Sequence, residues 1–252
     1  MKHFLHVFGL AILVAVSAAA ADLHAVLAVP RQRVETADFR VSGRLVRVDP
    51  KGVRTTLPVT IEALGSAKVL HVLISTGGPN RSRILLEMHT TGETAIWVAH
   101  PGDKAPAVLP FAQWGDGPLG PGFSYEDFLD QQYFWPIQSL AAETHYGARI
   151  CDVLQSSPEP AFRTHYAGIR TWLDHTIGFP VYAEKTIKGA ATVKEFTYMG
   201  LRHDGGVWSA KQVEEKSRGQ AGSTLLIIDR GTAKANLQPG NFAPGNLVRF
   251  QD

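Results

Sequence analysis

The chain has 252 residues, 44% hydrophobic and 19% charged, with 25 basic against 23 acidic side chains. That near-neutral balance removes any electrostatic reason to expect a nucleic-acid partner, and the lone cysteine, Cys151, excludes an intramolecular disulfide. Stability must come from an apolar core, which a chain of this length can build as one domain.

Lys2, an apolar run at 4–16 and the alanines at 18–21 have the charged start, short apolar centre and small-residue end of a secretory signal peptide. The run is too short to span a bilayer comfortably. Cleavage after Ala20 or Ala21 is expected, with 1–21 as the signal and 22–252 as a single exported domain in a bacterial periplasm. Cys151 lies far from that point, so no cysteine is placed there to carry a lipid anchor.

Residues 26–38 read as a leader carrying Pro30, Arg31 and Arg33. Strict alternation at 39–48 predicts a half-buried strand. Asp49 to Gly52 turn it into a partner at 53–63, where Pro58 predicts an edge or a bulge. Further strands are expected at 68–75, apolar on both faces, and at 81–89 and 93–100, separated by Gly-rich turns. Residues 101–110 read as a loop. After the aromatic stretch at 120–140, strands are expected at 144–155, 167–175, 179–187, 192–202, 207–216 and 223–229. Asp204, Gly205 and Gly206 mark a hairpin turn. The tail from Asn236 has little pattern. Strands about eight residues long without long intervening helices predict an antiparallel sheet, barrel or sandwich, not parallel βαβ units.

Residues 120–140 are the long exception. Gly120, Pro121 and Gly122 break what precedes them, and Ser124 and Asp127 have the spacing of a capping box that starts a short helix. Phe123, Tyr125, Phe128, Leu129, Tyr133, Phe134 and Trp135 follow, and Pro136 limits the helix. Such a segment can plug or cover an apolar interior. It can equally be ordinary aromatic core.

No nucleophile elbow, phosphate loop or dinucleotide fingerprint is present. His71, His89 and His100 fall on neighbouring predicted strands and could converge, but they have no recognised metal spacing. Glu126, Asp127 and Asp130 form an acidic cluster of the kind that divides acid and base roles in glycoside hydrolysis. Asp127 already has the cap to hold, however, and Glu126 is expected to face water. Tyr125, Phe128 and Trp135 could also stack on a sugar. Cys151 reads as an inert buried thiol. Arg31, Arg33, Arg40, Arg44 and Arg47 make a basic face, read as solvated, with acidic lipid headgroups or an acidic partner as the alternative. No cofactor or metal is expected.

Four stretches resemble the outer-membrane lipoprotein-sorting protein family, relatives of the periplasmic carrier LolA. GFSYEDF at 122–128 is similar to that family's DFSYED signature. TWLD at 171–174, followed by GFPVY at 178–182, resembles its central strand pair. DGGVW at 204–208, with Lys211 to Glu214 beyond it, resembles its DGIWVP element. NLQPGNF at 236–242, with Asn246 and Leu247, resembles its closing segment. Two positions depart: Gly122 stands where the signature has Asp, and Ser209 and Ala210 follow Trp208 where Val-Pro is usual.

The resemblance implies a mainly β fold, a strongly curved antiparallel sheet or open half-barrel with short helices as a lid. It implies a carrier without catalysis that holds acyl chains of lipids or lipoproteins, with an inner-membrane transporter and an outer-membrane acceptor as partners. Phe123, Tyr125, Phe128, Leu129, Phe134 and Trp135 are the expected lid or cavity contacts. Trp97, Trp172 and Trp208 are candidates for the sheet-side lining, and Ser124 and Asp127 are expected to hold the lid. An interaction scaffold and an envelope glycan or lipid hydrolase are the rival readings.

Overall fold

The computed structural model describes residues 22–250, so the predicted signal peptide lies outside the described residues. The chain opens on helix α1 (Leu23–Glu35), then runs through strands β1 (Asp38–Val48), β2 (Arg54–Gly65), β3 (Val69–Thr76), β4 (Arg83–His89), β5 (Thr94–Ala99) and the short β6 (Ala107–Val108). After an irregular stretch come β7 (Ile137–Leu140), β8 (Thr144–Tyr146), β9 (Arg149–Ser157), β10 (Tyr166–Asp174), β11 (Pro180–Ile187), β12 (Val193–Asp204), β13 (Val207–Ser217) and β14 (Ser223–Ala233). All pairings are antiparallel, and the order is β6-β5-β4-β3-β2-β1-β14-β13-β12-β11-β10-β9-β7, with β8 pairing β9. Two meanders are joined where the last strand returns to the first: β14 lies along β1 from Phe39↔Ala233 to Val48↔Ser223.

The sheet is strongly curved. Leu45, Val59, Ile74, Ile84 and Ile96 from one half share a single core with Leu154, Leu173, Ala183 and Phe196 from the other. Strands repeat every ~4.8 Å, so a flat sheet of this width could not bring its two ends into one core. Helix α1 lies across the opening and touches both β3 and β7. We call the inner side the trough.

Three predictions are corrected here. The leader is helix α1, capped by Asp22, which accepts from His24 N–H at 3.0 Å. Pro30 forfeits one helical hydrogen bond. Yet Leu27, Pro30 and Val34 form the apolar stripe that docks on the core. The strand expected at 144–155 is split into β8 and β9 by Gly147, which turns the chain at φ +60. Pro58 sits in a central strand. Its carbonyl accepts from Gly77 N–H just beyond the last β2–β3 pair, Val59↔Thr76, so its missing N–H forfeits only the reciprocal bond to Gly77 at the end of that ladder.

The tail with little pattern has a packing role. Trp97, Leu85 and Leu73 stand opposite one another across β5, β4 and β3 on the outer face. Leu237, Phe242 and Leu247 cover that row. This explains why β3 is apolar on both faces: Leu70, Val72 and Ile74 face the trough while Leu73 faces the tail.

Candidate functional site

The trough is filled by residues 120–136. These form two 3-10 turns, Tyr125–Phe128 and Gln131–Phe134, where a short helix was expected. Phe123, Leu129 and Tyr133 are buried in the main core, with Tyr125, Phe128 and Phe134 half-buried against it. Phe123 meets Phe196 of β12 edge-on at 5.4 Å. Trp135 is fully buried in an adjoining cluster with Phe162, Tyr166 and Ile169. The six aromatic and aliphatic residues expected to contact a cavity are therefore brought together, but as the filling of the trough.

Under the segment lies an ionic centre. The Ser124–Asp127 capping box forms: Asp127 accepts from Ser124 N–H and from the Ser124 hydroxyl, both at 2.8 Å. The same carboxylate accepts from Tyr166 OH at 2.7 Å, Lys185 Nζ at 2.8 Å and Lys194 Nζ at 2.7 Å. The Asp127 side chain is completely buried, and those of the two lysines nearly so. Lys185 and Lys194 are direct cross-strand partners on β11 and β12. Like charges in that position repel, and Asp127 is the counter-charge that lets both point inward. Phe196 adds a ring face 4.4 Å from Lys185 Nζ. Glu215, the cross-strand partner of Phe196, is also buried.

Burial alone would raise the Asp127 carboxyl, but the Lys185 and Lys194 ammonium groups and their hydrogen bonds override it and hold it well below the usual carboxylate range. Burial pushes the Glu215 carboxyl up, against the pull of Lys194. Because Asp127 is depressed in the folded state, the unfolded chain takes up its proton first as pH falls. Its stabilising contribution is full above about pH 5, starts to decline below about pH 4 and is lost as pH passes through the depressed native value. Urea unfolding between pH 7 and 3 should show wild-type stability falling more steeply below pH 4 than that of Asp127→Asn. Parallel curves would refute the linkage.

The other two acids are also tied. Glu126 is buried, not water-facing as expected, and accepts from Thr164 Oγ1 at 2.5 Å and from His165 N–H at 3.1 Å. It also pairs with His165 Nδ1, and that ring stacks on Phe111 at 4.3 Å. Asp130 pairs with Arg33 of α1 at 3.0 Å. Arg33 lies over Phe179 at 5.0 Å and Tyr133 at 5.8 Å, while Arg31 donates to the Tyr133 carbonyl at 2.7 Å. Two members of the basic face are thus clamps on the segment. Arg40 and Arg44 remain at the surface, paired with Glu62 and Asp229.

Side chains do nearly all of this holding. Among the described residues, no backbone–backbone hydrogen bond joins 120–136 to a strand; those it makes are local or to Asp116. Three buried polar atoms of the segment, Gln131 Oε1, Gln132 Oε1 and Trp135 Nε1, have no protein partner among the described residues, and neither has Thr171 Oγ1 on β10. Each such group costs about 1–3 kcal/mol relative to a satisfied one.

The three sheet tryptophans do not line the trough. Trp97 lies under the tail on the outer face. Trp172 packs edge-on against Tyr182 at 5.0 Å with Arg170 over its ring, on the face opposite inward Thr171 and Leu173. Trp208 sits beside His203 near the β12–β13 turn. Strand period assigns a residue to one of two faces but cannot say which is concave. His71 and His89 do converge, both on Glu87, at 3.1 and 3.0 Å, without His100. Cys151 is buried, and burial raises its thiol.

The sequence reading missed Lys185, Lys194, Tyr166 and the partners of Glu126. One signal was available: Lys185 continues the inward set Val181 and Ala183, and Lys194 shares parity with Phe196. A lysine in the apolar register of two adjacent strands requires a buried anion.

Two surface clefts, of about 460 and 300 Å³, lie near the β8–β9 and β10–β11 turns and are not lined by the aromatic segment. Asp152 and His175 line the smaller one. With Glu143 they form a group whose ligand atoms all lie within 4.8 Å, close enough to share a cation. No helix among the described residues is long and apolar enough to cross a membrane.

The model of a family described as "Uncharacterized protein" matches residues 71–249. No curated protein sequence matches the chain. Among solved structures, a Vibrio parahaemolyticus domain named for outer membrane lipoprotein sorting is similar at a TM-score of 0.78 and 18% identity, over 88% of this chain and 97% of that one. A DUF1329 family protein from Desulfovibrio piger gives 0.77 at 18% identity, over 89% and 98%. A LolA superfamily protein from Nitrosomonas europaea gives 0.66 at 14% identity, again over 89% and 98%. At these identities the likeness is one of fold.

Proposed function

This chain belongs to the family whose model spans its residues 71–249, and we propose that it is an exported carrier that shields acyl chains of lipids or lipoproteins in its trough. In this reading residues 1–21 are removed as a signal peptide and 22–252 act as one domain in the periplasm. Cargo passes from an inner-membrane transporter toward an outer-membrane acceptor, and the protein does no chemistry on it. The LolA-like fold supports this. The observation that carries it is that a separate aromatic segment, clamped through side chains, packs among the sheet's apolar residues in the trough. A filler of that kind can leave without dismantling a strand. Outside the Lys185–Lys194 centre the trough it vacates is apolar, and each CH₂ group sheltered there gains about 0.8 kcal/mol over exposure to water.

A filled trough also suits a non-catalytic scaffold for an envelope complex, and one measurement separates the two. Native mass spectrometry of the protein from a periplasmic extract, with organic extraction, should reveal a bound species of lipid mass, and a fluorescent acyl probe should bind saturably. Protein that is ligand-free in every preparation and ignores the probe would leave the scaffold.

A further inference from the structure

We infer that Lys185 and Lys194 form a receptor for the anionic headgroup of the cargo, and that Asp127 occupies it as an internal stand-in. The inference rests on the carrier reading above and adds the chemical class of ligand: a single-chain amphiphile ending in a carboxylate or phosphate.

The two ammonium groups converge on one carboxylate, Lys185 on Oδ1 and Lys194 on Oδ2, with the Tyr166 hydroxyl as a third donor at Oδ1. All three donors belong to the sheet, on β10, β11 and β12, whereas the carboxylate belongs to the segment. Withdrawal of the segment therefore removes the anion and leaves its receptor in place. Glu126, which also acts on Tyr166, leaves with the segment, and the sheet acid beside the centre is Glu215, so two ammonium groups would face one carboxyl, itself pushed toward its neutral form by burial. A carrier of purely apolar groups has no use for such a centre, since two buried lysines without an anion are strongly unfavourable. A ligand that brings its own anion restores the pairing that Asp127 gave up. Its chain would then take the space of Phe123, Leu129 and Tyr133.

The test compares a long-chain fatty acid, the alkyl phosphate of equal length and the matching fatty alcohol, each measured by calorimetry on the whole mature protein at pH 7.5. Replacing neutral by charge-assisted hydrogen bonds should favour the two anions over the alcohol by about 10- to 100-fold. The triple variant Asp127→Leu, Lys185→Met, Lys194→Met replaces the centre by apolar groups of similar size, and should bind all three probes alike. Because the readout is a ratio, a general change in stability does not imitate the result. Equal binding of acid and alcohol by the wild type would overturn the headgroup receptor and leave the carrier reading standing. A preference that survives in the triple variant would overturn its assignment to the lysines. Competition by inorganic phosphate alone would overturn the amphiphile in favour of a free anion. Failure of every probe to bind would remove the carrier reading and this inference with it.

Discussion

Asp127→Ala should lower the unfolding free energy by about 3–5 kcal/mol, the usual effect of removing one partner from a buried charge pair. Lys185 and Lys194 would be left as direct cross-strand neighbours, almost fully buried, with no carboxylate between them. Tyr166 and Ser124 would lose their acceptor as well. The loss should not be additive with changes at the lysines. The triple variant with Leu at 127 and Met at 185 and 194 should recover part of that loss, because apolar groups avoid the desolvation of three charges, although Tyr166 and Ser124 still lack their acceptor. Equilibrium urea unfolding of the two variants decides the matter. A single variant that loses less than about 1 kcal/mol would mean that the ionic centre does not hold the segment.

Gly122→Asp, which would restore the residue found in the lipoprotein-sorting signature, should destabilise the protein by about 2–6 kcal/mol, combining backbone strain with overpacking. Gly122 has φ +121, and a Cβ placed there would lie 2.0 Å from Thr224 Oγ1 and 2.7 Å from Thr224 Cβ. A carboxylate at this position would also approach Glu215, whose Oε2 is 3.3 Å from that Cβ, in a buried setting that already disfavours ionised acid. Glycine here is thus a local fit to Thr224 on β14. Thermal and urea unfolding would check the loss, and pairing the change with Thr224→Gly should recover part of it by removing the obstacle. A stable Gly122→Asp variant would mean that the segment can shift away from β14 at little cost.

The strands were legible because each of their requirements is local. Alternation at 39–48, the Gly-rich turns at 77–80 and 90–92, and the Asp204–Gly205–Gly206 hairpin all act over a few residues. Where local and tertiary demands disagree, the sequence misleads. Pro30 forfeits a helical hydrogen bond in α1, yet the helix stands because its Leu27, Pro30 and Val34 stripe has a core to dock on. The four residues of β7 were absorbed into the aromatic stretch, since they are a strand only by pairing with β9.

The chain alone determines the antiparallel strands, the positions of most turns, the Ser124–Asp127 cap and the aromatic segment that interrupts the sheet. Tertiary structure decides the rest. It decides that the aromatics fill the trough, that Trp97, Trp172 and Trp208 do not line it, and that Arg31 and Arg33 clamp the segment. It also decides that Asp127 meets two lysines 58 and 67 residues away. The physical reason is one of range. Propensity and period are set by neighbours along the chain. Which face of a curved sheet is concave, and which charges meet inside it, depends on strands that are distant in sequence and are brought together only when the sheet curls.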